Sequence, residues 1–110
     1  MSLLIKNGTI LTAASEFTGD IYIEGETIRQ IGTNLSVNAS RTIDASGKYV
    51  MPGGVDEHVH YGSFGGRLFE TAEAAAAGGT TTIVADPHEI VNVCGAQAVQ
   101  YLLDATETCR

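Results

Sequence analysis

At 110 residues the chain is long enough for one small domain, and its 44% hydrophobic content excludes wholesale disorder. A formal charge of −7 disfavours nucleic acid or an anionic membrane surface as a partner, since both require a basic patch. No run of 18 apolar residues predicts a membrane span, and Met1–Lys6 has neither the basic region nor the apolar length of a signal peptide.

The first fifty residues read as short strands. Leu3–Lys6 and Thr9–Thr12 flank Asn7-Gly8, a pair that predicts a tight hairpin because both turn residues must take positive φ. Asp20–Glu24 and Thr27–Ile31 follow, separated by a turn at Gly25. Ile21 and Ile23, like Ile28 and Gln30, alternate with their neighbours, as in a sheet with one wet face. A polar loop spans Gly32 to Ser40. Arg41–Asp44 and Lys48–Met51 are two further strands around Ala45-Ser46-Gly47. Taken alone, this part reads as a free-standing β-meander.

Pro52 cannot donate to a sheet ladder and Gly53-Gly54 breaks any regular element, so a domain boundary is expected there. The segments are 1–52, rich in β-structure, and 53–110. Val55 to His60 is the next strand. Tyr61–Gly66 reads as a glycine-rich loop, and Arg67–Ala77 as a helix with Leu68, Phe69, Ala72, Ala75 and Ala76 on its apolar stripe, stopped by Gly78-Gly79. Thr80–Ala85 is continuously β-branched, as in a parallel strand buried on both faces. Val55–Ala85 is therefore one strand–helix–strand unit, with a right-handed crossover expected. From Val91 an apolar stripe runs through Cys94, Ala98, Tyr101, Leu102, Ala105 and Cys109 at helical spacing. Two cysteines on such a stripe have a core explanation. They make no disulfide framework and read as reduced thiols in a cytoplasmic protein.

The chemistry gathers at two places. Residues i and i+2 of a strand share a face, so His58 and His60 project together, with Asp56 on the same side below them. Two neutral imidazoles on one face can hold a divalent metal. They can equally be two satisfied polar side chains, and Asp56 either orients a ligand or is a structural acid. The second place is Asp86-Pro87-His88-Glu89. Asp at the N-cap, Pro at the first helical position and Glu two residues later make a capping box, which explains those three without catalysis. His88 is left over. The positive helix end disfavours imidazolium there, which makes His88 a candidate to accept a proton or donate a hydrogen bond to substrate.

Pro52-Gly53-Gly54-Val55-Asp56 leading into His58-Val59-His60 resembles the amidohydrolase superfamily. Residues 1–60 are most similar to hydantoinases and dihydropyrimidinases. Residues 55–110, with Gly79-Thr80-Thr81-Thr82 and Asp86-Pro87-His88-Glu89-Ile90, are more similar to adenine deaminases. Tyr61-Gly62-Ser63 departs from the acidic, serine-rich stretch usual in adenine deaminases.

The resemblance implies an α/β fold: half of a small β-sandwich (1–52), then the first two β/α units of an incomplete (β/α)8 barrel (53–110), a fold that needs ~250 residues. It implies that His58 and His60 bind one or two divalent ions (Zn, Mn or Fe); beside them Asp56 is a candidate to orient a ligand from behind, and His88, Asp86 and Glu89 are candidates for the substrate side. A metal-activated water would attack the amine-bearing carbon of a purine base or, alternatively, a cyclic amide carbonyl. The family's other ligands and its general base come from later strands, so no complete catalytic set lies within residues 1–110. The chain is then expected to be a fragment inactive alone, joined to the remainder of its polypeptide or self-associated as a homo-oligomer. A non-catalytic interaction protein is the reading from another class.

Overall fold

The computed structural model describes residues 1–60 and 68–107. Two compact units form, Met1–Pro52 and Gly53–Arg110.

The first unit is a five-stranded mixed sheet. Strand β1 (Ser2–Leu11) pairs antiparallel with β2 (Glu16–Glu24), which pairs antiparallel with β3 (Thr27–Gly32). Strands β4 (Arg41–Asp44) and β5 (Tyr49–Val50) return to the other edge of β1 and run parallel to it. The sheet is therefore not a meander: residues 33–40 carry the chain back past β1.

The hairpin expected at Asn7-Gly8 is absent as well. Asn7 does take a positive φ of 60°, but inside one continuous strand, where it makes a bulge between Ile5 and Gly8. A bulge absorbs one extra residue and increases local twist without reversing the chain. The reversal comes later, at residues 12–15, where the Thr12 hydroxyl accepts from Ser15 N–H at 3.0 Å. The core of this unit is Leu4, Ile10, Ile21, Leu35 and Ala45. An apolar groove of about 320 Å³ lies over the same sheet, lined by Ile5, Ile21, Ile23, Ile28, Ile31 and Met51 among others.

In the second unit β6 (Gly54–Val59) and β7 (Thr80–Ala85) are parallel neighbours, joined through α1 (Leu68–Ala77). This is the expected strand–helix–strand connection. Arg67 and the loop 61–66 lie outside the described residues, as do the side chains of Leu68 and Phe69. The helix ends as predicted: Gly78 N–H bonds to the Ala74 carbonyl at 3.1 Å, and Gly79 takes φ +94°.

The double-sided burial expected of β7 is not found. Only Thr80 and Ile83 are even half-buried, because β7 has one strand neighbour among the described residues. The single long helix expected beyond Val91 is two helices, α2 (His88–Cys94) and α3 (Gln97–Thr106). Gly95 separates them at φ +70°, where its N–H bonds to the Val91 carbonyl at 2.8 Å. A residue with a Cβ takes that conformation only at a cost, so glycine ends α2 rather than weakening a continuous helix. The break also turns the stripe. Ala98 is buried, while Cys94 and Tyr101 are exposed, so Cys94 is not a core residue. Cys109 lies outside the described residues. Among the described residues no helix is long and apolar enough to cross a membrane.

Candidate metal centre

Parallel pairing sets the site. When two strands run the same way, their C-terminal ends lie on one edge of the sheet. Val59 pairs with Ala85 at the ends of β6 and β7, and the Asp86 N–H bonds to the Val59 carbonyl at 2.8 Å. That bond seats Asp86 beside the histidine pair. It also consumes the N–H that Glu89 would need for a capping box, so the reciprocal half of the box does not form. Only the Asp86 half remains, with Oδ1 accepting from His88 N–H at 3.3 Å, and α2 begins at His88 behind Pro87. Asp56 makes the same local bond two residues before His58, with Oδ1 accepting from His58 N–H at 3.2 Å. Each Asp-x-His step is thus stiffened by an aspartate bonded to its own chain.

Five side chains close into a ring. His58 Nε2 and His60 Nε2 are 3.1 Å apart. His58 Nε2 is 3.3 Å from Asp86 Oδ2, and the same oxygen is 3.1 Å from His88 Nδ1. His88 Nδ1 is 3.9 Å from Glu89 Oε2, and Glu89 Oε1 is 3.1 Å from His60 Nδ1. The His60 ring stacks tilted on His58 and edge-on against His88, with both centroid distances 4.8 Å. All the residues singled out in the sequence, except Asp56, therefore converge. Asp56 bonds to the main chain and touches no imidazole among the described residues.

Electrostatics favour an anionic Asp86. The hydrogen bond from His88 lowers its carboxyl pKa most; burial pushes the other way, and the charges of His88 and His60 add to the lowering.

The donor set fits a divalent cation. Two groups of three donors lie within 4.8 Å, His58–His60–Asp86 and His60–His88–Glu89. Imidazole nitrogen and carboxylate oxygen suit zinc, iron or manganese. The observation that bears most directly on the fit is His60 Nδ1. It is shut off from water and makes no well-aligned hydrogen bond, although Glu89 Oε1 is 3.1 Å away. Proximity without alignment leaves the pair attracted but incompletely bonded, as in a polar cluster that a cation would organise.

Comparison with known proteins gives the class first: the chain is a homologue of one stretch of amidohydrolase-superfamily enzymes. The particular relatives carry two names. A protein of Clostridium acetobutylicum named adenine deaminase is 43% identical over 108 residues, covering 96% of this chain and 18% of the relative. A D-hydantoinase of Geobacillus stearothermophilus is 48% identical over 90 residues, covering 76% of this chain and 19% of the relative. Among solved structures, a D-hydantoinase superposes with a TM-score of 0.73 at 36% identity, over 96% of this chain and 24% of that one. A dihydropyrimidinase of Brevibacillus agri gives 0.70 at 42% identity, over 77% of this chain and 20% of that one. No family model matches the chain. The chain thus spans about a fifth of the length of the curated relatives it matches. Its mixed α/β structure is consistent with the N-terminal β-sandwich part of hydantoinase-like enzymes.

Proposed function

We propose that this chain supplies the N-terminal part of a metal-dependent amidohydrolase acting hydrolytically on adenine or a related purine base. In this reading residues 53–110 are the first two β/α units of a (β/α)8 barrel, and 1–52 are half of its accessory sandwich. The observation that carries the reading is the convergence of His58 and His60 with Asp86, His88 and Glu89 at the C-terminal ends of two parallel strands. That end is where barrel enzymes place their chemistry.

His58 and His60 would hold the divalent cation, with Asp56 stiffening the strand below them. When bound, the cation supplies Lewis acidity, polarising the substrate and acidifying water. The chain's own part is positional. Asp86 Oδ2 draws His88 Nδ1 towards it, which leaves His88 Nε2 to meet a ring nitrogen or exocyclic amine of substrate. Adenine is favoured over a cyclic amide because, in sequence, relatives named adenine deaminase align over 96% of the chain and those named D-hydantoinase over 76%, although one D-hydantoinase structure superposes over 96%. Higher identity to D-hydantoinase, 48% against 43%, keeps cyclic-amide hydrolysis as the second reading.

A pair of chimeras tests both. Residues 1–110 replace the matching segment of the Clostridium adenine deaminase and of the Geobacillus D-hydantoinase. The first chimera should release ammonia from adenine, and His58→Ala or His60→Ala in it should abolish both activity and bound metal. His88→Ala should cut turnover about 100-fold at saturating metal, the scale of one proton-transfer group. Turnover only by the second chimera, on cyclic amides, would favour hydantoinase chemistry. Full activity of the His58→Ala and His60→Ala variants would sink the metal reading altogether.

A further inference from the structure

We propose that Asp86 is a third ligand of the cation held by His58 and His60, so that this chain alone closes a three-donor site, and that Glu89 positions His60 for it. The inference rests on the reading that His58 and His60 bind metal, and it moves Asp86 and Glu89 from the substrate side to the cation.

Distances carry the first half. Ligands bonded at ~2.1 Å to a four- or six-coordinate ion lie roughly 3.0–3.4 Å from one another along the edges of the polyhedron. His58 Nε2 lies 3.1 Å from His60 Nε2 and 3.3 Å from Asp86 Oδ2. Two of the three donor separations match such edges, and all three donor atoms lie within 4.8 Å of one another with no cation needed to gather them. His58 and His60 come from the end of β6, whereas Asp86 is the residue that follows β7. Its place is fixed by its own ladder bond to Val59 and by Oδ1 accepting from His88 N–H. The second oxygen, Oδ2, is therefore the one turned to the imidazoles.

Chemistry carries the second half. A ligating imidazole offers one nitrogen to the metal and commonly donates N–H from the other to a carboxylate. Glu89 Oε1 stands 3.1 Å from His60 Nδ1, the nitrogen shut off from water. A proton on Nδ1 leaves the lone pair on Nε2, which is the nitrogen facing His58. The two groups are near but not aligned, so a small turn of the imidazole on binding the cation would let Nδ1–H donate to Glu89, and in that arrangement Glu89 selects the tautomer that binds. His88 Nδ1 donates to Asp86 Oδ2 and holds that oxygen in place.

The test is Co(II) and Zn(II) titration of the purified 110-residue chain, reading stoichiometry by elemental analysis and ligand field by the Co(II) visible bands. One equivalent is expected. His58→Ala and His60→Ala should abolish binding. Asp86→Asn should weaken it by at least ~100-fold and move the Co(II) bands. Glu89→Gln should weaken it ~10–100-fold, the scale of an outer-shell partner, with the bands in place. Asp86→Glu, which keeps a carboxylate, should recover binding with shifted bands and decides the matter if Asp86→Asn perturbs the metal-free circular dichroism. Wild-type affinity and spectrum in both Asp86 variants, with binding still lost in the histidine variants, would overturn the third ligand and leave the two-histidine reading standing. Wild-type binding in the histidine variants would overturn both. A wild-type chain that takes up no metal would overturn the closed site.

Discussion

Asp20 is 2% exposed and shows what single residues conceal in a sequence. Its two oxygens accept from Asn7 N–H and Leu35 N–H, each at 2.8 Å, tying the β1 bulge to the loop that returns the chain past the sheet. The hydrogen bond from Asn7 lowers its pKa most; burial opposes this, and Leu35 N–H and the Lys6 charge reinforce the lowering. With the folded value below the unfolded one of about 3.9, the unfolded chain binds more protons in acid. The stability contributed by Asp20 is thus fully present above that ordinary value and is lost as pH falls through the lower folded one. Asp20→Asn should destabilise the chain at neutral pH and flatten the fall in its unfolding midpoint below pH 4; an unchanged acid limb would show that the carboxylate is not the coupled group. The sequence offered Asp20 only as a polar residue opening a strand. Its partner Leu35 sits 15 residues away in a loop whose path no local pattern reveals. His58 and His60 were legible for the opposite reason, since a period of two in one strand is enough to place both rings together.

Elements were legible where the signal was local and misread where pairing decided. The boundaries of β7 and the C-terminal end of α1 follow from β-branching and from two glycines, and both are observed. Asn7-Gly8 carries the same turn chemistry in a hairpin and in a bulge, and only the partner strand distinguishes them. Gly8 in the folded sheet has a further role, because a Cβ there would lie 2.6 Å from Val50 Cγ2 and 3.3 Å from Ala45 Cβ. Gly8→Ala should therefore force β5 away from β1 and cost about 1–3 kcal/mol, the range for overpacking, readable in the chemical-denaturation midpoint. Gly47→Ala in the adjoining turn is the control: a Cβ there meets nothing within 4 Å, so its cost is the positive φ of 70° alone. Equal effects at both positions would mean that the close approach of β5 contributes nothing. The capping box failed for a related reason. Its residues are all present, but the Asp86 N–H was already engaged by Val59 across the parallel pair.

At the scale of the whole chain, the feature to explain is how much apolar side chain stays in water. In the first unit Ile28, Ile31, Tyr49 and Met51 are 57%, 47%, 67% and 60% exposed; in the second Val55 and Val84 are 66% and 56% exposed on the paired strands, and Val93 84% on α2. Strand β7, read from its sequence as buried on both faces, has the composition of an interior strand and the exposure of a surface one. Composition reports the surroundings for which a strand is suited, and the described residues of this chain do not provide them. Apolar strands with unpaired edges recruit further strands or further copies. The isolated 110-residue chain is therefore expected to self-associate at micromolar concentration and to bind a hydrophobic dye. Within either chimera, where the rest of a relative follows, both signs should vanish together with an upward shift in melting temperature. Light scattering beside dye fluorescence checks this. A monodisperse, dye-silent monomer of the isolated chain would show that the exposed residues need no cover, and that the two units are stable as they stand.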